Sequence, residues 1–346
     1  MSSQKSASLD TIGISRLVMP QGTKESYKKK RAAKALTKAA MRRLFGLQSP
    51  INDDYRQAYM CNEYLFQKGK KITSNYCSKR CCTVCNRIRA AQNLSKYADR
   101  ILALPDLYLV TLTDKNVSKG ELSENVGIMY KALTRIKKNL YAKKMKINGY
   151  RSFECTYGYK SGFNPHFHFI VQGKDVADML VHLWLKQMPN ASIKGQNITK
   201  VRHSKKSLLE LFKYIAKPIT KGYYSASAYD EIMRAIKHHR VSDSLGCIRG
   251  KNLDRDSDDL DKLQAQEIDF KGHRFTIWRY VQELFDYVSP EGELLIDEAI
   301  DLKTLNAINV IHKSESETRE KRFDKIGAEQ IMQRQRQRIK SEGVIF

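Results

Sequence analysis

The stretch GFNPHFHFIVQG, residues 162–173, sets His166 and His168 on either side of one phenylalanine. In a β-strand, residues two apart point to one face. The two imidazoles therefore project together, while Phe167 and Phe169 face the other way, toward apolar packing. The preceding segment YRSFECTYGY (150–159) also reads as a strand. A loop centred near Ser161 sets Glu154 opposite His168, on the same face. Two histidines and one carboxylate make a facial ligand set for a divalent ion, with positions left for water and a phosphate oxygen. A histidine pair in a strand is also common without any metal, so other residues must decide.

Seven cysteines occur, and five of them fall between Cys61 and Cys85. CSKRCCTVC supplies Cys77, Cys81, Cys82 and Cys85, and Cys61 lies upstream. Cys61, Cys77, Cys82 and Cys85 are the expected tetrahedral set for a structural Zn²⁺, because Cys82 has the Cys-x-x-Cys spacing to Cys85. Cys81 competes with Cys82 for that place. Four thiolates close the coordination shell, so catalysis at this zinc is not expected. Arg80, Arg87 and Arg89 flank the cluster and suit DNA phosphates.

LLELFKYIAKP (208–218) carries Glu210, Tyr214 and Lys217 at spacings of four and three. On a helix they share one face, opposite an apolar stripe. Lys200, Arg202, Lys205, Lys206 and Lys213 cluster around this segment and suit a single strand's backbone.

The elements that must hold these groups follow from periodicity. LYLVTLT (107–113) reads as a strand, and 122–144 as a helix with Ser123 as a candidate N-cap. The strands 150–159 and 166–172 come next, then a helix over 176–188, a strand over 191–202 and a helix over 206–217. One more helix and strand follow before residue 250. The order β-α-β-β-α-β-α is a split βαβ, ferredoxin-like α+β arrangement with a mostly antiparallel sheet and the 166–172 strand central. Four regions are expected: a basic N-terminal arm (1–50), helical or disordered; a cysteine zinc module (51–100); the α+β domain (101–250); and an acidic linker with a mainly helical C-terminal region (251–346).

Across 346 residues, 62 Lys and Arg face 37 Asp and Glu, a net charge of +25. Such an excess implies a polyanionic partner, nucleic acid above all. No apolar run approaches a membrane span, and the N-terminus lacks an apolar signal core, so a cytoplasmic protein is expected.

Taken together, the LVTLT strand, the PHFHF strand, the Glu-x-x-x-Tyr-x-x-Lys helix and the upstream cysteines resemble bacterial plasmid rolling-circle replication initiators. These are HUH endonucleases, and the resemblance is to the branch with one catalytic tyrosine preceded by a glutamate. It covers residues 57–250. Departures are Thr83 where the family's knuckle usually has proline, the extra thiol Cys81, and Phe163-Asn164-Pro165 before the histidines. The resemblance implies an HUH fold and a metal-dependent nick in single-stranded or extruded origin DNA. Tyr214 would be the nucleophile, Lys217 its electrostatic support and Glu210 the base for a terminating water. Mg²⁺ or Mn²⁺ would sit on His166, His168 and Glu154. Double-stranded origin DNA, a host helicase and a polymerase are the implied further partners. Two rivals share features. A transposase or relaxase of the same superfamily would share the metal site and tyrosine. A zinc-containing nucleic-acid-binding regulator would lack catalysis.

Overall fold

The computed structural model describes residues 24–68, 71–201, 208, 224–249 and 276–312. Its elements are α1 (Lys24–Phe45), α2 (Asn52–Met60), β1 (Tyr64–Lys68), β2 (Lys71–Ser74), α3 (Thr83–Leu102), β3 (Leu107–Thr113), α4 (Leu122–Ala142), β4 (Gly149–Gly158), β5 (Gly162–Gln172) and α5 (Lys174–Gln187). After these come β6 (Asn197–Lys200), α6 (Ala226–Ala235), β7 (Ser242–Leu245), β8 (Thr276–Val281), β9 (Asp286–Val288) and α7 (Leu302–His312).

Five strands form an antiparallel sheet in the order β6-β3-β5-β4-β7, which puts β5 at its centre. Alternation decides its two faces. Val110, Leu112, Phe153, Phe163, Phe167, Phe169 and Val171 turn to one side and join the main core, on which α4, α5 and α6 pack. Slipping any of these strands by one residue would carry its buried side chains to the other face. At about 1.5–3 kcal/mol for each buried aromatic, that burial also determines which face the histidines occupy. Toward one end of the second face Tyr97, Ala98 and Ile101 of α3 pack with Leu107, Tyr150 and Ile170, and Leu208 joins them.

The β4–β5 register differs from expectation. Gly158 pairs with Gly162, so the connection centres on Lys160, and Glu154 sits opposite His166 while Ser152 sits opposite His168. The two-residue difference preserves the face, so Glu154 still projects beside both imidazoles. Gly162 has φ +75°, and a Cβ there would collide with the Val117 carbonyl oxygen. Only glycine suits that conformation and that approach, which the Val117–Phe163 bridge requires.

Other boundaries moved for physical reasons. Ser123 is not the cap of α4; Glu121 occupies that position without a side-chain cap bond. The amides of Gly120 and Leu122 instead donate to Glu231 Oε1, at 2.8 and 3.4 Å, from α6. The expected 191–202 strand is shortened to β6 by a tight turn at Ile193–Gly195.

A second antiparallel sheet runs β2-β1-β8-β9. It joins residues next to the cysteines to residues near the far end of the chain. Residues 276–312, expected to be mainly helical, thus contribute two strands before α7; in TIWRYV, Trp278 and Tyr280 are buried and Arg279 between them is exposed, the period of a strand. The basic N-terminal segment is not a solvated arm over its described part. In α1, Arg31, Lys34 and Lys38 are all buried, and the helix packs on α2, α3, α6 and α7. The acidic stretch 254–261 lies outside the described residues. Among the described residues, no helix is long and apolar enough to cross a membrane.

Candidate metal centres and nucleic-acid site

Strands β4 and β5 bring Glu154, His166 and His168 together on the second face of the five-stranded sheet, with one ligand atom from each within 4.8 Å of the others. Glu154 Oε2 lies 3.7 Å from His166 Nε2 and 3.5 Å from His168 Nε2. The imidazole rings meet edge to face at 4.7 Å between centroids. Metal–ligand bonds of about 2.1 Å put neighbouring ligand atoms roughly 3.0–3.5 Å apart. The two separations from Glu154 are within a few tenths of an ångström of that range, so the group could hold a divalent ion. Exposure of the side chains rises from 12% at His166 to 25% at His168, so the group stands at the surface of the sheet, within reach of a substrate.

Further groups orient the imidazoles, and spacing along the chain does not point to them. His166 Nδ1 lies 3.0 Å from the Asn164 carbonyl oxygen. A carbonyl only accepts, so Nδ1 is the donor there, and Nε2 is the nitrogen turned toward Glu154. His168 Nδ1 lies 3.2 Å from Thr111 Oγ1 on β3. Thr113, on the same face, donates to Asn164 Oδ1 at 3.0 Å. The alternation in LVTLT placed both threonines on one face, but that this face is the histidines' face depends on the β3–β5 register, where Thr111 meets His168 and Thr113 meets His166.

The second group is Cys61, Cys77, Cys82 and Cys85, whose sulfurs also lie within 4.8 Å of one another. Cys85 Sγ is 3.6 Å from Cys61 Sγ and 3.7 Å from Cys77 Sγ. Four sulfurs about 2.3 Å from a tetrahedral Zn²⁺ stand roughly 3.8 Å apart, so the thiols fit that ion. Cys82 is the helix cap of α3 and Cys85 lies in its first turn. Cys81 turns away: its thiol points to the Asp54 carbonyl of α2 at 3.8 Å. Burial disfavours a charged Cys82, yet hydrogen bonds from Cys61, Cys77 and Cys85 hold its thiol well below the ordinary value. Backbone amides of Cys77 and Lys79 reach the sulfurs of Cys61 and Cys77, each at 3.4 Å.

Beneath this module α1 supplies a buried acid–base box. Lys34 Nζ donates to the carbonyls of Tyr59 and Cys61, at 2.8 and 2.7 Å, and meets Glu63 Oε2 at 2.7 Å. Lys38 meets Glu63 Oε1 at 2.8 Å. Burial opposes the charge on Glu63, but the two ammonium groups hold its carboxyl below the usual range. Nothing in the basic run KKKRAAKALTK announces this role, because its partner Glu63 lies beyond α2.

The expected DNA contacts divide. Lys200 is exposed and pairs with Asp106 at 3.0 Å. Arg87 is half-buried on α3. Arg89 does not suit a phosphate contact: it is 8% exposed and donates to Asn86 Oδ1 at 2.9 Å and to the Lys79 carbonyl at 3.4 Å. Arg80 donates to the Ile236 carbonyl and ties the cysteine loop to the end of α6. Both arginines brace the module internally. Arg202, Lys205, Lys206, Glu210, Lys213, Tyr214 and Lys217 lie outside the described residues.

A family model described as a replication protein matches residues 68–175. That span holds Cys77, Cys82, Cys85, Glu154, His166 and His168, and leaves out Cys61 and Tyr214. No curated protein and no solved structure matches the chain.

Proposed function

We propose that this chain is a rolling-circle replication initiator of the HUH type, which nicks single-stranded or extruded origin DNA and keeps the 5′ end on Tyr214. The observation that carries this reading is the convergence of Glu154, His166 and His168 at the sheet surface. The replication-protein match supports it, as does the +25 charge. The strand order also suits it. Taken in chain order, the first four strands of the five-stranded sheet stand fourth-first-third-second, the split βαβ arrangement. Leu208 is buried with Tyr150 and Ile170 on the histidine-bearing face. Tyr214 follows it by six residues.

A divalent ion held by Glu154, His166 and His168 would withdraw charge from the scissile phosphate. The chain's own groups do the remainder. Asn164 and Thr111 orient the imidazoles. The Tyr214 oxygen attacks phosphorus as its phenol proton leaves to solvent; a P–O bond to tyrosine forms and the P–O3′ bond breaks, giving a free 3′-OH. Lys217 offsets the negative charge of phenolate and phosphate. Glu210 takes the proton of the water that ends a round. The thiol module would hold zinc and support the fold.

The test is a denaturing gel of protein mixed with an origin-derived single strand and Mn²⁺. A covalent adduct is expected, and it should vanish in Tyr214→Phe. An adduct that survives that change defeats the assignment of the nucleophile. In Glu210→Ala the first cleavage should persist while termination fails; equal loss of both would remove the role given to Glu210.

A further inference from the structure

Between Glu124 and Glu154 the chain has eight Lys and Arg and no acid. Most of that span is α4 and the turn after it. The helix turns Val126, Met129, Leu133, Ile136 and Leu140 into the core. Its other side is exposed at Lys131, Arg135 and Lys138. Spacings of four and three put these cations on one stripe, about 10 Å long at 1.5 Å per residue. The charge continues into the turn, where Lys143, Lys144 and Lys146 are exposed too. Tyr141, 86% exposed, stands on one flank of the stripe.

On other helices, exposed cations have acids beside them. Lys24 of α1 meets Glu298 and Lys29 meets Glu25. Lys174 of α5 meets Asp178, and Arg234 of α6 meets Asp230. None of the six cations on and after α4 has an ion pair among the described residues. Folding alone does not favour this arrangement. Like charges one turn apart, such as Lys131 and Arg135, destabilise a helix. The helix dipole favours cations at the C-terminal end, but Lys131 and Arg135 lie in the middle. Lys144 has φ +58°, and its amide donates to the Tyr141 carbonyl at 2.9 Å. Glycine is the usual residue where a helix ends in that conformation. A polyanion from outside the chain would offset both disadvantages.

Shape selects the polyanion. Single-strand sites combine a basic groove with aromatic stacking platforms. This face is the convex side of a helix, with one aromatic on its flank. Long cationic side chains on a convex surface suit the phosphates of a duplex. Tyr130 of α4 meets Phe153 and Phe167, which face away from the histidines. The sheet and the helix itself, about 10–12 Å across with side chains, therefore separate this surface from Glu154, His166 and His168. It is a second DNA surface, distinct from the place of the nicked strand.

We propose that the outer face of α4, with Lys131, Arg135, Lys138 and Lys144, binds the phosphate backbone of duplex DNA. The inference rests on the nicking reading for the source of that duplex, the origin beside the nicked strand.

Phosphate contacts are independent of sequence, so the test is fluorescence anisotropy of a labelled random-sequence duplex over a salt series without divalent metal. Wild type is compared with Lys131→Gln/Arg135→Gln/Lys138→Gln, with Lys144→Gly, and with Lys174→Gln as a control on a paired cation. The slope of log affinity against log salt should flatten by about 0.9 for each phosphate no longer neutralised, and so by about 2.7 in the triple variant, which should bind about tenfold or more weakly. Lys144→Gly should flatten the slope by about 0.9, yet melt at the wild-type temperature or above because glycine suits that backbone. Lys174→Gln should keep the wild-type slope. Unchanged slopes in the triple variant and in Lys144→Gly would overturn the surface. So would a triple variant that flattens only because it unfolds, with Lys144→Gly at the wild-type slope. All variants should nick a short single strand at the wild-type rate. Wild type that nicks no single strand, with the flattened duplex slopes still present, defeats the nicking reading and leaves the duplex surface standing.

Discussion

The thiol group and the Glu154 group each gather their ligand atoms within 4.8 Å, yet they sit in opposite surroundings. Three of the four cysteines are buried and the fourth is partly so, with Lys34 and Glu63 anchoring the carbonyls and strands around them. Glu154, His166 and His168 are all only partly buried, on a sheet face that ends in packing by α3 at one side. Zinc in an all-sulfur shell would leave no position for a reactant and would serve folding. Two imidazoles and a carboxylate at a surface would leave positions around an ion unfilled, which under the proposed function would serve a substrate. Helix α3 connects the two, with Cys82 and Cys85 at its start and Tyr97 and Ile101 on the histidine-bearing face near its end.

This contrast can be broken in several places. The largest effect on stability is expected from Cys85→Ser, which opens the closed shell. Structural zinc contributes on the order of 10 kcal/mol to small modules, so cooperative unfolding should be lost or moved to much lower temperature, as followed by circular dichroism. His168→Ala should do the reverse. Nicking should fall about a hundredfold or more, measured as initial cleavage rate, while the melting temperature stays within a few degrees of wild type.

Thr111→Val removes the hydroxyl beside His168 Nδ1 at similar volume. Weakened orientation of a metal-bound histidine lowers metal affinity about 10- to 100-fold, which a Mn²⁺ titration of nicking will read as a higher half-saturation point. Gly162→Ala forces a side chain against the Val117 carbonyl. Such strain costs about 1–3 kcal/mol, and it should lower both stability and nicking because the hairpin carries Glu154 and His166. The smallest effect belongs to Cys81→Ala. Its thiol faces Asp54 rather than the other sulfurs, so zinc content should be unchanged and stability should fall by about 1 kcal/mol.

The residues to be brought together were legible where the period was short. The alternation in PHFHF assigned His166 and His168 to one face, and the Cys82–Cys85 spacing chose Cys82 over Cys81. Registers were less legible. The loop centre at Lys160 rather than Ser161 exchanged the partner of Glu154, and only the two-residue repeat of a strand preserved the site. Long-range pairing was not legible at all. β1 meets β8 across more than two hundred residues of sequence, and Lys34 and Lys38 of a basic helix turn inward because Glu63 waits there. Charge read along the chain does not distinguish a solvated lysine from a buried one with an acid above it.

The most direct measurement of the division between the two groups is a short EDTA treatment, followed by zinc counting and nicking on the same sample. Nicking should disappear, about one zinc ion per chain should remain because the sulfur shell is closed, and Mn²⁺ alone should restore cleavage. Nicking that survives the treatment, or that disappears only as zinc leaves, would contradict that division.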